Sequence, residues 1–130
     1  MIVLDASALV DVLIDQGTAP WVLAQLAGEA VSAPAHQPAE VLSAIGRLRR
    51  SGTLTADAAA AALDEAASLG TDLLLPTPAH LREAHALDGR LRVLDALYVV
   101  LARDLDAALV TTDRRLAAAS PPCEVRVPPR

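Results

Sequence analysis

Lysine and phenylalanine are absent from this chain, and cysteine occurs once. All eleven basic residues are arginine, and the aromatics are one Trp and one Tyr. A single thiol, Cys123, excludes an internal disulfide and fits a reducing compartment, so a cytoplasmic protein is expected. No His stands near it in a nucleophile motif, so it reads as a small hydrophobe. No apolar run is long enough to span a membrane. The first apolar run lacks a basic segment before it and is interrupted by Asp5, which predicts no secretory leader. Without Phe, the core has to come from Leu, Val, Ile and Ala, and a composition that is 53% hydrophobic supplies them.

A length of 130 residues predicts one domain over 1–130, with a short Pro-rich tail at 128–130. The formal charge of −5 weighs against a general nucleic-acid binder, which is usually basic. Four acids gathered around a metal would not act as a free field, and setting them aside leaves −1. The exclusive use of Arg has a plain cause in GC-rich coding. Its functional reading is phosphate recognition through the planar guanidinium fork.

Strands alternate with helices along the whole chain. The apolar run through Leu4 reads as a buried strand, and Ser7–Ile14 follows with apolar residues at helical spacing. Trp21–Ala27 is a short helix whose Trp21 either closes the core or anchors a partner. Further strands are expected at Ala30–Ala33, Asp72–Leu75, Ala107–Thr111 and, weakly, Glu124–Val127. A helix runs from about Pro38 to Arg50, with Arg47, Arg49 and Arg50 suiting its dipole. Thr55 should cap an alanine-rich helix to about Ser68. Ala79–Leu87, the very apolar Val93–Leu105 and Arg114–Ala119 complete the set. This order predicts a parallel sheet with helices on both faces, all strand carboxyl ends lying on one edge.

Four acids then stand out. Asp5 and Asp113 each follow a short apolar strand and precede a helix, so they meet only if their strands are neighbours. Each is also a good N-cap. Asp95 lies in the most apolar helix, where a charge is costly unless paired or metal-bound. An ion pair with Arg92 or a place near the helix start would also account for it. Glu40 lies early in its helix. With Pro38 at the first helical position, a capping box would require Gln37 as cap, a poor capping residue. A solvated acid favoured by the dipole is the plain alternative. The three His residues, His36, His80 and His85, fall outside these acidic segments and read as surface or packing residues. Crowded carboxylates suit a hard divalent cation, Mg²⁺ or Mn²⁺, and no His–Cys set for zinc is present. From the residues alone, a metal-dependent phosphodiesterase is as far as the chemistry reaches.

The segments IVLDASALV, PAEVLSAIGRL, VLDALYVVLA and LVTTDRRLA resemble, in order and spacing, the four acidic motifs of the PIN-domain ribonucleases, specifically the VapC-type toxins of toxin–antitoxin pairs. The likeness runs from Met1 to about Leu116. It implies a PIN-like three-layer α/β/α sandwich with a five-stranded parallel sheet and the first and fourth strands side by side. It implies Asp5, Glu40, Asp95 and Asp113 as the catalytic, metal-holding quartet, with Ser7 and Thr111 as supporting hydroxyls. Asp5, Asp95 and Asp113 would be the ligands, and Glu40 an outer ligand or a base that orients water. It further implies an RNA substrate, a homodimer and a cognate VapB-type antitoxin lying in a helical groove, with the N-terminal helices and Trp21 as contact surface. Arg114 and Arg115, directly after Asp113, are candidates to contact a substrate phosphate, and a solvated face or pairing with acids is the plain alternative. Val93–Leu94 stand where many relatives carry a polar or aromatic residue, which bears on substrate preference. The competing reading is a non-catalytic α/β protein-binding module whose acids are caps and ion pairs. The missing Lys weighs against a receiver domain. Asp5-Ala6-Ser7 in place of Asp-x-Asp weighs against a haloacid-dehalogenase-type phosphatase.

Overall fold

The computed structural model describes all residues, Met1–Arg130. Its order is β1 (Ile2–Leu4), α1 (Ala6–Leu13), α2 (Ala19–Leu26), β2 (Val31–Pro34), α3 (Gln37–Arg50), α4 (Ala56–Ser68), β3 (Asp72–Leu74), α5 (Pro78–Ala86), α6 (Val93–Asp104), β4 (Ala108–Val110), α7 (Arg114–Ala118) and β5 (Val125–Arg126). The five strands form one parallel sheet in the order β3-β2-β1-β4-β5. Every strand and helix read from the sequence is present, with ends displaced by one or two residues. No helix is long and apolar enough to cross a membrane.

Physical signals explain the elements. β1 and β4 are apolar throughout and every residue in them is buried, as strands at the centre of a covered parallel sheet must be. Thr55 caps α4 by accepting a hydrogen bond from the Ala58 amide at 3.0 Å, and Gly70 leaves that helix at a φ of +68°. Thr77 and His80 form a reciprocal capping box at the start of α5, and His80 also lies 2.7 Å from Asp104 on α6. The start of α3 differs from the expectation. His36 holds the cap position, Gln37 is the first helical residue, and Pro38 is the second. Gln37 is buried because its amide Nε2 donates to the Leu4 carbonyl at 2.6 Å. That bond ties the helix to the end of β1. Gln37→Ala is expected to cost about 1–3 kcal/mol in urea denaturation, the usual range for a lost buried hydrogen bond.

The core is built from the residues the composition predicted. One cluster joins β1 and β4 to α1, α3 and α6, with Tyr98, Ile2, Leu4, Ile45 and Leu109 its largest fully buried members. Trp21 packs partly buried against it. Cys123 is half-buried, and burial pushes its thiol up to about 11, which leaves it inert at neutral pH.

Connections from β1 run outward to β2 and β3. The chain then returns through α5 and α6 to β4 and continues to β5 on the other side. β1 and β4 are therefore neighbours whose outgoing connections leave in opposite directions. The crevice beyond the carboxyl ends of two such strands is where open α/β sheets bind ligands.

Candidate active site

Asp5 follows β1 and Asp113 lies just beyond β4, so the sheet alone brings them to the same rim. The Asp5 amide donates to the Val110 carbonyl at 2.9 Å, which continues the β1–β4 ladder past the last strand residue. Asp5 occupies the cap position of α1 but makes no side-chain cap bond. Its Oδ2 instead accepts from Ser7 Oγ and from Thr111 Oγ1, each at 2.7 Å. Each hydroxyl has one proton and directs it to Asp5. Their oxygens accept in turn, Ser7 Oγ from the Thr112 amide and Thr111 Oγ1 from the Asp113 amide. A closed polar network thus links the first and last acids of the rim.

Asp5 is buried, and burial pushes its carboxyl above the ordinary value. The two hydroxyls lower it in part, while the charges of Asp95 and Glu40 raise it further. All four acids line a single cleft of about 220 Å³, with Asp11, Arg47 and Arg92 on its walls. A larger cavity of about 370 Å³ lies elsewhere, among α1, α3, α4 and β3. It is mainly apolar and includes none of these acids.

Each of the other three acids has its own restraint. Glu40 sits in the first turn of α3 with His36 one turn before it, Nε2 to Oε1 at 3.1 Å. Neither atom has a well-aligned hydrogen bond, and nor does the buried Tyr98 hydroxyl beside them. Burial raises the Glu40 carboxyl, but His36, Tyr98 and the charge of Arg92 outweigh it and hold the group below its ordinary value. Asp95, in the first turn of α6, is gripped by the Arg92 fork, Nε to Oδ2 at 3.0 Å and Nη2 to Oδ1 at 3.4 Å. Asp113 caps α7 by accepting from the Arg115 amide, and the Arg115 guanidinium reaches both its oxygens at 3.2 and 3.3 Å. Burial raises Asp113, and the Arg115 and Arg92 contributions overcome it and leave it lowered.

The quartet read from the sequence is therefore collected in one cleft, and Ser7 and Thr111 stand against Asp5. The capping and ion-pair alternatives weighed for Asp113 and Asp95 are also both realised. Arg114 does not line the cleft. Its guanidinium donates to the Pro128 carbonyl in the C-terminal tail. His36 was read as a surface or packing residue and instead touches Glu40. Its i,i+4 spacing to that acid was the available signal. Arg47 was read as a dipole partner and lines the cleft two turns along α3 from Glu40, on the same helix face. No sequence signal marked Gln37.

The donor set is all oxygen apart from His36, which lies against the buried oxygen of Glu40. That chemistry fits Mg²⁺ or Mn²⁺. As placed, no three acidic, imidazole or thiol groups converge tightly enough to cage an ion. Asp95 and Asp113 are turned to their arginines.

Comparison with known proteins agrees with this geometry. The PIN domain family matches residues 2–120. Ribonuclease VapC3 of Mycobacterium tuberculosis is 44% identical over 128 residues, covering 92% of this chain and 88% of that protein. Among solved structures, PAE2754 from Pyrobaculum aerophilum superposes with a TM-score of 0.72 at 25% identity, covering 95% of this chain and 89% of that one. A toxin–antitoxin complex from Klebsiella pneumoniae shares the fold, with a TM-score of 0.64 at 14% identity and 87% of each chain covered.

Proposed function

This chain belongs to the PIN-domain family, among its VapC-type ribonuclease toxins, and from that premise we propose that it is a Mg²⁺-dependent endoribonuclease that hydrolyses RNA phosphodiester bonds and is silenced by a VapB-type antitoxin. The observation that carries the reading is the single cleft where Asp5, Glu40, Asp95 and Asp113 meet at the β1–β4 switch point. Burial and the neighbouring charges of Asp95 and Glu40 raise the Asp5 carboxyl, and a bound cation would offset both.

Asp5, Asp95 and Asp113 would hold the metal, directly or through water. A bound Mg²⁺ supplies a water of lowered pKa and a counter-charge for a phosphoryl oxygen. The chain's own residues do the rest. Ser7 and Thr111 fix Oδ2 of Asp5, so its other oxygen is left to face the cleft. Glu40 is held below its ordinary value and stays charged at neutral pH, which suits a group that orients a water by accepting its hydrogen bond. Arg47 and Arg92 both line the cleft, and Arg47 would serve as a contact for the RNA strand.

The apolar cavity among α1, α3, α4 and β3 is the surface we assign to the antitoxin. Helices α1 and α3 contribute to both this cavity and the acidic cleft, so a chain seated there lies beside the cleft. The homodimer carries over from the family, and the inert lone thiol suits the cytoplasm.

Inducible expression of the wild type beside Asp95→Asn tests the reading. Growth arrest and discrete new RNA ends are expected from the wild type alone. The purified variant should cleave about a hundredfold more slowly or worse, and chelation should abolish wild-type cleavage. Equal cleavage by both proteins would overturn the mechanism. The binding-module reading draws on the Asp113 cap and the Arg92–Asp95 pair. It requires that Mg²⁺ produce no saturable stabilisation.

A further inference from the structure

We propose that Arg92 and Arg115 are internal counter-ions that a divalent cation displaces from Asp95 and Asp113, and that the freed guanidinium groups then bind RNA phosphates at the mouth of the cleft. This rests on the metal-dependent ribonuclease reading above. Both oxygens of Asp95 and both of Asp113 are engaged by guanidinium nitrogens. Those engagements account for the absence of a ready cage among donors that otherwise suit one. The exposed partner in each pair is the arginine. The Arg92 and Arg115 side chains are 73% and 85% exposed, against 13% and 20% for their carboxylates. Exposed ion pairs of this kind are weak, so a dication that several acids share can replace them.

The arginines already have a place to act. Beside the cleft lies a hollow of about 170 Å³ that shares Asp95, Asp113 and Arg92 with it and adds Arg90 and Arg115. Once both carboxylates turn to a metal, the charged groups left in that hollow are three guanidinium groups. In a chain of net charge −5, this is a local electropositive wall suited to phosphate, which the Arg fork binds through two parallel hydrogen bonds. Metal and RNA binding are then linked, and each must strengthen the other by the same factor.

Calorimetry with Mn²⁺ and binding of a short phosphorothioate RNA oligomer test this on the full chain. Arg92→Gln and Arg115→Gln should each bind Mn²⁺ about threefold more tightly than the wild type. In saturating Mn²⁺, each should bind the oligomer about fivefold more weakly, with a log–log salt dependence shallower by about 0.7. Arg90→Gln removes the same charge from the same hollow but frees no carboxylate, because Arg90 donates to the Ser120 carbonyl. It sets the size of the general charge effect, which the other two must exceed. If Arg92→Gln and Arg115→Gln bind Mn²⁺ no better than Arg90→Gln, or hold the oligomer as tightly as the wild type, the exchange is wrong. A wild type that binds Mn²⁺ and cleaves RNA while the variants behave so overturns this inference alone. A wild type that does neither overturns the ribonuclease reading and this inference with it.

Discussion

Asp5→Asn is expected to make the metal-free protein more stable and the enzyme inactive. Near neutral pH its melting temperature should rise by several degrees, on the order of 1 kcal/mol, while RNA cleavage falls by about a hundredfold or more. The cause is the raised carboxyl of Asp5. In the pH window between its ordinary value of 3.8 and its higher folded value, the folded protein keeps a proton that the unfolded chain has released. Stability therefore falls as pH rises through that window, and the ionised Asp5 weighs against the fold above it. Glu40 and Asp113 have the opposite sign. Both are held below their ordinary values, so their contribution is present at neutral pH and is lost as pH falls through the folded values. The amide of Asn still accepts from Ser7 and Thr111, so the network survives while the charge goes. Urea denaturation of wild type and variant across mildly acid to neutral pH reads the difference, which should widen as pH rises. A less stable variant at neutral pH would mean that the two hydroxyls more than offset burial. Mg²⁺ should raise the wild-type melting temperature and leave that of the variant unchanged. A gain in stability bought with function is the usual mark of an active-site acid.

Thr111→Val is expected to do more harm than a swap of equal size suggests. Thr111 Oγ1 gives its proton to Asp5 and accepts the Asp113 amide, so one methyl group in its place disconnects two acids from each other. Thr111 is fully buried, and water cannot readily replace the lost partners. A loss of about 1–3 kcal/mol in stability follows from leaving buried polar groups unpaired. Metal affinity and cleavage should each drop by about 10–100-fold, the range for groups that orient metal ligands. Ser7→Ala is the milder comparison, because Thr111 still holds Asp5 Oδ2. Calorimetric Mg²⁺ binding separates the two effects. Reduced stability with unchanged metal affinity would limit Thr111 to a structural part.

The sequence showed the scaffold of this site better than its fittings. β1 and β4 are short, wholly apolar and buried, and each is followed within three residues by an acid that precedes a helix, a pattern that suits central parallel strands. Adjacency of those strands followed from requiring Asp5 and Asp113 to meet, and the β1–β4 register bears it out. Ser7 and Thr111 were legible only through the family likeness, since a hydroxyl two residues after one acid and another two residues before a second has no periodic signature. The guanidinium forks on Asp95 and Asp113 were open alternatives, because which of two exposed partners an Arg selects depends on rotamers. Gln37 was passed over as a poor cap. Its partner, the Leu4 carbonyl, lies in a different segment, and no local pattern connects them.

The pairing of β1 with β4 has a consequence for synthesis. Asp5 and Asp113 lie more than a hundred residues apart in the chain, yet neighbouring strands carry them. Such long-range pairing forms late, after the intervening loop has been closed at an entropic cost. A partly translated chain therefore cannot assemble the catalytic rim while β4 is still inside the ribosome. Asp5 and Asp113 therefore come together only after nearly the whole chain has been made.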